Sequence, residues 1–589
     1  MSSAYEAPLH IQLLALEQAC RSTGLADLPE VRQLISDVAG SVLESAGKFA
    51  REVLSPLNGV GDRSPARLEA GRVVTSPGFS DAYRQFAASG WMSVSAPAEE
   101  QGQGLPHLIG VAVSEMWTGA NPAFAMCPEL AIGAIEALHR HGTVEMRERY
   151  LPHLVRGDWT SAMCLTEPQS GSDLSTIRTR AEPDGDAWRL FGRKIYISWG
   201  DHDLTENVLH LVLARTPGAP QGVKGISLFL VPKRIPSAGG ALADNDIAVL
   251  SLEHKMGIRA SPTCALALGE RRGARGWLVG PLHGGLACMF TVMNVMRLGV
   301  AVQSLGIAER AWQLARDYAR TRRQGRNAAG PERPIIEHAD VRRMLLTMKS
   351  LVHAARCLTY TTAASIDVAR RAEDEKVRAA GESTAGLLTP LAKAWCSEIA
   401  VEVSSLGVQI HGGLGFIDEC EASQVYRDAR IGPIFEGTNF IQAQDLLGRK
   451  ILRDRGAALT ALLDRMLDAA AVLPAGVAGL GELASGLTSG CHALKRAGGT
   501  IIETAAGDAN LIGAVGHHFL QWLGVLAGGW QWALTAAEAL PRAHTDATAR
   551  ALVDTAGFYA SHVLPRATMH EAIVRRGADP VTNAAIAEL

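Results

Sequence analysis

The chain has 589 residues, room for three or four domains, with 47% hydrophobic and 20% charged residues, the balance of an ordinary soluble globular protein. A formal charge of −3 gives no general pull toward nucleic acid or anionic membrane, so a small molecule or a protein is the expected partner. Nine cysteines occur singly with no C-x-x-C pair, which argues against a disulfide framework or a zinc site and for a reducing compartment.

The N-terminus, M-S-S-A-Y-E-A-P-L-H, lacks the basic start and apolar core of a secretion signal, and a cytoplasmic protein is expected. Residues 1 to about 160 read as helical: A-I-G-A-I-E-A-L-H-R-H-G places apolar residues three and four apart and stops at Gly142. From about 161 to 275 short β-rich runs take over. Asp184-Gly185 separates two strand-like segments as a hairpin turn, and N-V-L-H-L-V-L-A-R, G-I-S-L-F-L-V-P and C-A-L-A-L-G follow between Pro and Gly turns. Helical periodicity returns from 283 to 450. A Gly- and Ala-rich stretch, 474 to 487, then leads into a last helical region. Within it F-L-Q-W-L-G-V-L-A-G-G-W-Q-W-A-L (519 to 534) is interrupted by Gln521 and Gln531 and is shorter than the roughly 20 apolar residues a bilayer requires. A buried helix is the better reading, with no membrane insertion. The expected organisation is mainly α with an inserted antiparallel β-domain: a helical extension 1–36, an N-terminal α-domain 37–160, a middle β-domain 161–282, a helical-bundle domain 283–452 and an extra C-terminal α-domain 453–589.

No G-x-G-x-x-G follows a strand, and no G-x-x-x-x-G-K-[ST] occurs, so Rossmann and P-loop sites find no support. His139 and His141 read as a helix-end pair in solvent, and Asp201-His202-Asp203 lacks further ligands for a cation. In M-C-L-T-E-P-Q-S-G-S-D-L-S (163 to 175), Thr166, Ser170, Ser172 and the backbone around Gly171 offer closely spaced donors suited to a ring carbonyl and a pyrophosphate. Glu436 stands between the apolar Ile431, Pro433, Ile434 and Phe435 and the turn Gly437-Thr438-Asn439. It is either a solvated helix cap or a desolvated base; lifting a glutamate from about 4.3 to about 7 costs on the order of 4 kcal/mol.

Five segments in order, L-T-E-P-Q-S-G-S-D (165–173), K-I-Y-I-S (194–198), Y-A-R-T-R-R-Q-G-R (318–326), Q-I-H-G-G-L-G (409–415) and F-E-G-T (435–438), resemble the acyl-CoA dehydrogenase flavoproteins over most of residues 40 to 450. The length and F-Y-A-S-H-V-L-P-R-A-T near residue 560 look most like the larger bacterial members that oxidise 3-methylthiopropanoyl-CoA or long-chain acyl-CoA. The resemblance implies FAD bound between the β-domain and the second helical domain. Leu165, Thr166, Tyr196 and Ser198 would line the flavin ring, with Gly171 and Ser172 beside the phosphates and the CoA chain. Arg322, Gln324, Gln409, Gly412 and Gly413 would reach the FAD of a neighbouring subunit, and Thr438 would also contact the cofactor. Gly325 departs from the family pattern, where phenylalanine is common, and puts that adenine contact in doubt.

The resemblance also implies a reaction: a base takes the α-proton of a thioester, a β-hydride passes to flavin, and electrons go on to an electron-transfer flavoprotein. Glu436 would be the base, its pKa lifted by a dry pocket, with Ile434 and Phe435 supplying dryness and Gly437 allowing close backbone approach. Some relatives place the base at the residue before the arginine of M-N-V-M-R; here that is Met296, which accepts no proton. Arg297 and Asn294 would contact substrate with Ser172 and Gly437. On spacing alone a helix-surface ion pair remains the alternative reading of Arg297. A homodimer is expected, the C-terminal domain taking the place of a second dimer. An oxygen-using acyl-CoA oxidase is the first rival. A DNA-binding relative of the fold is the second, opposed by the near balance of acids and bases from 451 to 589.

Overall fold

The computed structural model describes residues 4–236, 241–326 and 333–584; the ends of the expected first and last domains, 1–3 and 585–589, lie outside them. The chain divides into two compact units, Ser45–Gly299 and Met1–Glu44 together with Val300–Leu589, with the boundary inside the helix Gly285–Thr321.

The first unit opens with helices whose limits follow local chemistry. Pro122 begins Pro122–His141, with the Asn121 side chain accepting from the Phe124 amide. The next helix, Val144–Arg156, is capped by Thr143 and ends at Gly157, whose φ of 80° suits only glycine well. Phe86 meets Trp117 edge to face at 4.7 Å between centroids in the core of these helices.

An eight-stranded sheet follows: β1 Thr160–Cys164, β2 Arg180–Asp184, β3 Ala187–Ser198, β4 Val208–Arg215, β5 Ile226–Pro232, β6 Ile247–Leu252, β7 Thr263–Leu268 and β8 Ala274–Val279. The order is β6-β7-β3-β8-β5-β4-β1, with β2 beside β3 and touching β4. The sequence predicts an antiparallel sheet, but the sheet is mixed: β1 runs parallel to β4, Thr160 opposite Val208. A long irregular segment and two strands separate them, and parallel neighbours need such a crossover. The hairpin between β2 and β3 is present, but Asp184 pairs with Ala187, so its turn residues are Gly185-Asp186, one position later than read.

The second unit is helical. Ala339–Arg371 and Glu375–His411 pack along each other, and the C-terminal helices Ala457–Ala471, Leu480–Thr504, Leu511–Ala539, Ala547–His562 and Arg566–Val574 follow. The Gly- and Ala-rich stretch is shorter as a break than it reads, since Leu480 already starts a 25-residue helix. Among the described residues two helices could cross a bilayer by length and composition, and their most apolar stretches are 61% and 72% buried, as in core helices. In the second of these, Leu511–Ala539, Trp522, Trp530 and Trp532 are fully enclosed, and Gly524 and Gly528 let Trp395 of the neighbouring helix lie against the backbone. All nine cysteines are free thiols.

Candidate active site

The first expected motif folds around a buried ion pair. Lys194 on β3 is fully buried and donates to Glu167 Oε1 at 2.8 Å and to the Leu165 carbonyl at 2.9 Å. Glu167, 3% exposed, also accepts from Gln169 Nε2, the Arg178 and Thr179 amides and Thr179 Oγ1. Burial opposes its ionisation, but Lys194 and these donors overcome that and hold its pKa down to about 2. Burial in turn lowers that of Lys194, against the pull of Glu167. The pair fixes the loop: Glu167 and Ser170 exchange main-chain hydrogen bonds, and Thr166 O accepts from the Ile195 amide. Gly171 and Ser172 are thereby left exposed, and a Cβ on Gly171 would meet nothing within 4 Å. Ser170, read as a ligand donor, is buried and donates to the Asp173 carbonyl, so its hydroxyl is committed to the loop itself.

The second motif carries backbone strain. The ladder between β7 and β3 shifts register between Cys264 and Leu266, so that Ile195 and Tyr196 oppose Ala265 alone. At this bulge Tyr196 takes φ 58° and its side chain stands 62% exposed, while Trp199 takes φ 50° and is buried, donating to the Ala123 carbonyl. Left-handed non-glycine residues cost of order 1–3 kcal/mol each and gather at functional sites, and bulges re-aim side chains. Leu165, Thr166 and Ser198 are half-buried.

Glu436, in the second unit, is also left-handed, at φ 57°, and Gly437 follows at 81°. Thr438 caps the helix Asn439–Gln444, its hydroxyl accepting from the Ile441 amide. Gln442 donates to the carbonyls of Glu436 and Gly437, while Asn439 is held by Lys393, Ser397 and Glu398. Sequence reading missed this support, because Lys393 and Glu398 lie some forty residues upstream. Within this unit Glu436 is half-buried and Ile434 is 49% exposed, so the apolar run does not enclose the carboxylate unaided.

Arg322, Gln324, Gln409, Gly412 and Gly413 are all exposed, and a Cβ on Gly412 or Gly413 would meet nothing within 4 Å. Arg322 donates to the Gln324 side chain at 2.9 Å. Gly325, at φ 81° with His338 about a contact away, occupies a backbone state that disfavours the family's phenylalanine. Arg297 is 3% exposed with its guanidinium 5.8 Å from the Phe290 ring, so it is no helix-surface ion pair; Asn294 is exposed and Met296 buried. His139 and His141 do not stand in solvent either: His139 pairs with Glu100 and His141 with Thr291. Asp201, His202 and Asp203 go to Lys233, Thr160 and Thr75, and among the described residues no His, Cys, Asp and Glu group could hold a metal.

A mixed sheet set between helical segments, a glycine-punctuated hydroxyl loop and a strained glutamate define a flavin-dependent dehydrogenase, and the chain belongs to the acyl-CoA dehydrogenase family. The family's N-terminal domain matches residues 41–158, its middle domain 162–270, its C-terminal domain 283–451, and an acetyl-CoA dehydrogenase C-terminal-like domain 457–585. The chain is 43% identical to the 3-methylmercaptopropionyl-CoA dehydrogenase of Ruegeria pomeroyi over 99% of its own length and 100% of that protein's. Its fold is that of Caenorhabditis elegans ACDH-11, solved with C11-CoA (TM-score 0.79, 21% identity, 96% of this chain and 92% of that one). It is likewise that of a Bacillus anthracis acyl-CoA dehydrogenase solved with FAD (0.74, 21%, 91% and 88%). The protein is an oxidoreductase with acyl-CoA dehydrogenase activity, and acyl-CoA dehydrogenases are FAD-dependent.

Proposed function

We propose that the chain oxidises a short acyl-CoA thioester to its trans-2-enoyl-CoA, with Glu436 as the base, and that 3-methylmercaptopropionyl-CoA, also called 3-methylthiopropanoyl-CoA, is the substrate. The observation that carries the role of Glu436 is its left-handed backbone beside Gly437. Such strain persists only where the surroundings impose it, and no glycine has replaced the glutamate to relieve it. The substrate assignment rests on likeness along the whole of the Ruegeria pomeroyi enzyme.

The residues fit the cofactor. Thr166 and Ser198 present half-buried hydroxyls, Tyr196 an exposed aromatic face, and Gly171-Ser172 and Gly412-Gly413 main chain with no side chain overhead. Leu165, Arg322, Gln324, Gln409 and Thr438 complete the expected contacts. Bound FAD supplies the acceptor for the hydride that leaves Cβ. The chain's own task is the other half: Glu436 takes the proton as the Cα–H bond breaks, while Arg297, Asn294, Ser172 and Gly437 orient the thioester. Electrons then pass to an electron-transfer flavoprotein, and the protein works as a homodimer. In the test, Glu436→Gln keeps FAD while substrate-driven flavin bleaching falls at least about 10³-fold, the scale of losing a positioned base. A thioester panel scored by bleaching finds the methylthio substrate fastest. Bleaching by Glu436→Gln at the parental rate removes the assignment, and a long-chain thioester reacting faster replaces the substrate.

A further inference from the structure

Glu436 and Gly437 are consecutive left-handed residues, and the glutamate, unlike the glycine, is strained by it. Something must hold that segment. Two anchors flank it. Upstream, buried Lys393 donates to the Gly432 carbonyl at 3.0 Å and to Asn439 Oδ1 at 3.1 Å, tying the entry of the apolar run to the first residue of the helix beyond. Downstream, Gln442 is fully buried and turns back from that helix, its amide nitrogen 3.2 Å from the Glu436 carbonyl and 3.1 Å from that of Gly437.

Gln442 sits there at a cost. Its Oε1 is buried without a hydrogen-bond partner among the described residues, and a stranded acceptor is destabilising. An apolar side chain of the same length would fill the space without that loss, so packing does not account for the amide; its donor end does. Gly437 makes room for it, since a Cβ at that position would lie 2.8 Å from Gln442 Nε2. The left-handed turn, the missing side chain and the buried amide form one arrangement.

We infer that Gln442 is a positioning residue for the α-proton transfer: by clamping the Glu436 and Gly437 carbonyls it fixes the direction in which the Glu436 carboxylate leaves the main chain. The inference rests on Glu436 being the base. Small errors of aim cost about 10²-fold in rate, and Gln442→Met removes both donated hydrogen bonds at nearly constant volume.

In the holoenzyme, Gln442→Met is expected to keep its FAD and its affinity for the thioester within about threefold, while flavin reduction slows by about 10–100-fold. The isotope effect with α-deuterated substrate is expected to rise as proton removal becomes limiting. A second readout needs no turnover. Thermal unfolding of Glu436→Gly, Gln442→Met and the double variant is expected to be non-additive, because the strain and its clamp are one unit. Reduction at the parental rate overturns the inference, as does a slower rate explained by lost FAD or weakened substrate binding, and so does strict additivity in unfolding. Parental bleaching by Glu436→Gln would instead sink the assignment of the base, leaving the clamp itself to the unfolding cycle.

Discussion

Lys194→Met isolates what the buried ion pair does for the loop 165–173. Lys194 has no exposed surface and Glu167 has 3%, so the substitution leaves a carboxylate in the interior and also strips the Leu165 carbonyl of its donor. Removing one partner of a buried pair costs about 3–5 kcal/mol. The four remaining donors to Glu167, from Gln169, Arg178 and Thr179 twice, place this case near the lower figure. For a domain of this size about 2–4 °C per kcal/mol applies, giving a fall of about 6–12 °C in melting temperature at pH 7. The deficit must depend on pH. In the parent, Glu167 titrates at about 2 instead of 4.5, so its contribution is complete above 4.5 and lost as pH falls toward 2. Without Lys194, burial favours the protonated acid, and the variant recovers ground as pH drops through that raised value. The assay is fluorescence-detected melting from pH 7.5 to 4.5, with Lys194→Met/Glu167→Gln as the control that removes the charge. A melting point within about 1 °C of the parent at pH 7, or a deficit flat across the range, refutes the reasoning.

Gly437→Ala should slow flavin reduction as Gln442→Met does and cost about 1–2 kcal/mol, since it meets both the left-handed φ and the Gln442 amide; melting and stopped-flow reduction read it. Gly524→Ala puts a Cβ 2.4 Å from Trp395 Cδ1 and should destabilise by about 1–3 kcal/mol. Gly499→Ala, whose Cβ meets nothing within 4 Å inside the helix Leu480–Thr504, should stabilise by about 0.5–1 kcal/mol in the same melting assay. Burial, reinforced by neighbouring positive charges, pushes the pKa values of His202 and His353 down to about 3 from 6.5. Both stay neutral in the fold, so stability is fully present above 6.5 and declines as pH falls toward 3, by up to about 1.4 kcal/mol per pH unit for each group. Denaturant titrations at pH 7, 6 and 5 check the slope.

Periodicity made the helical and β-rich regions legible, and β4, β5 and β7 lie where apolar runs marked them. Strand direction was not, because alternation encodes which face is buried and says nothing of which neighbour a strand joins or in which sense; hence the parallel β1–β4 pair. The glutamate was visible through its odd setting, yet its left-handed backbone was not, since Glu is a poor predictor of positive φ. The partners that hold the site, Lys194 for Glu167 and Lys393 for Asn439, are joined only by folding, across 27 and 46 residues. The burial of Arg297, which sets aside the alternative of a surface position, was not legible in spacing, since three- and four-residue separations describe an isolated helix and this one is packed.

The first helix, Leu9–Thr23, finds part of its anchorage at the far end of the chain. Gln18 donates to Gln531 Oε1 at 2.9 Å across 513 residues and accepts from Thr535, and the Ser22 carbonyl is held by Arg465. Ribosomes add about 5–20 residues per second, so this opening segment waits roughly 25–100 s for its berth to be synthesised. Fifteen residues make a marginal helix alone in water. Its main packing partner, the helix Ala339–Arg371, arrives earlier, but the Gln18 and Ser22 contacts cannot form until that delay is over. Residues 45–299 form a compact unit from one continuous stretch of chain and face no such wait, so this unit is expected to mature before the one that joins residues 1–44 to 300–589.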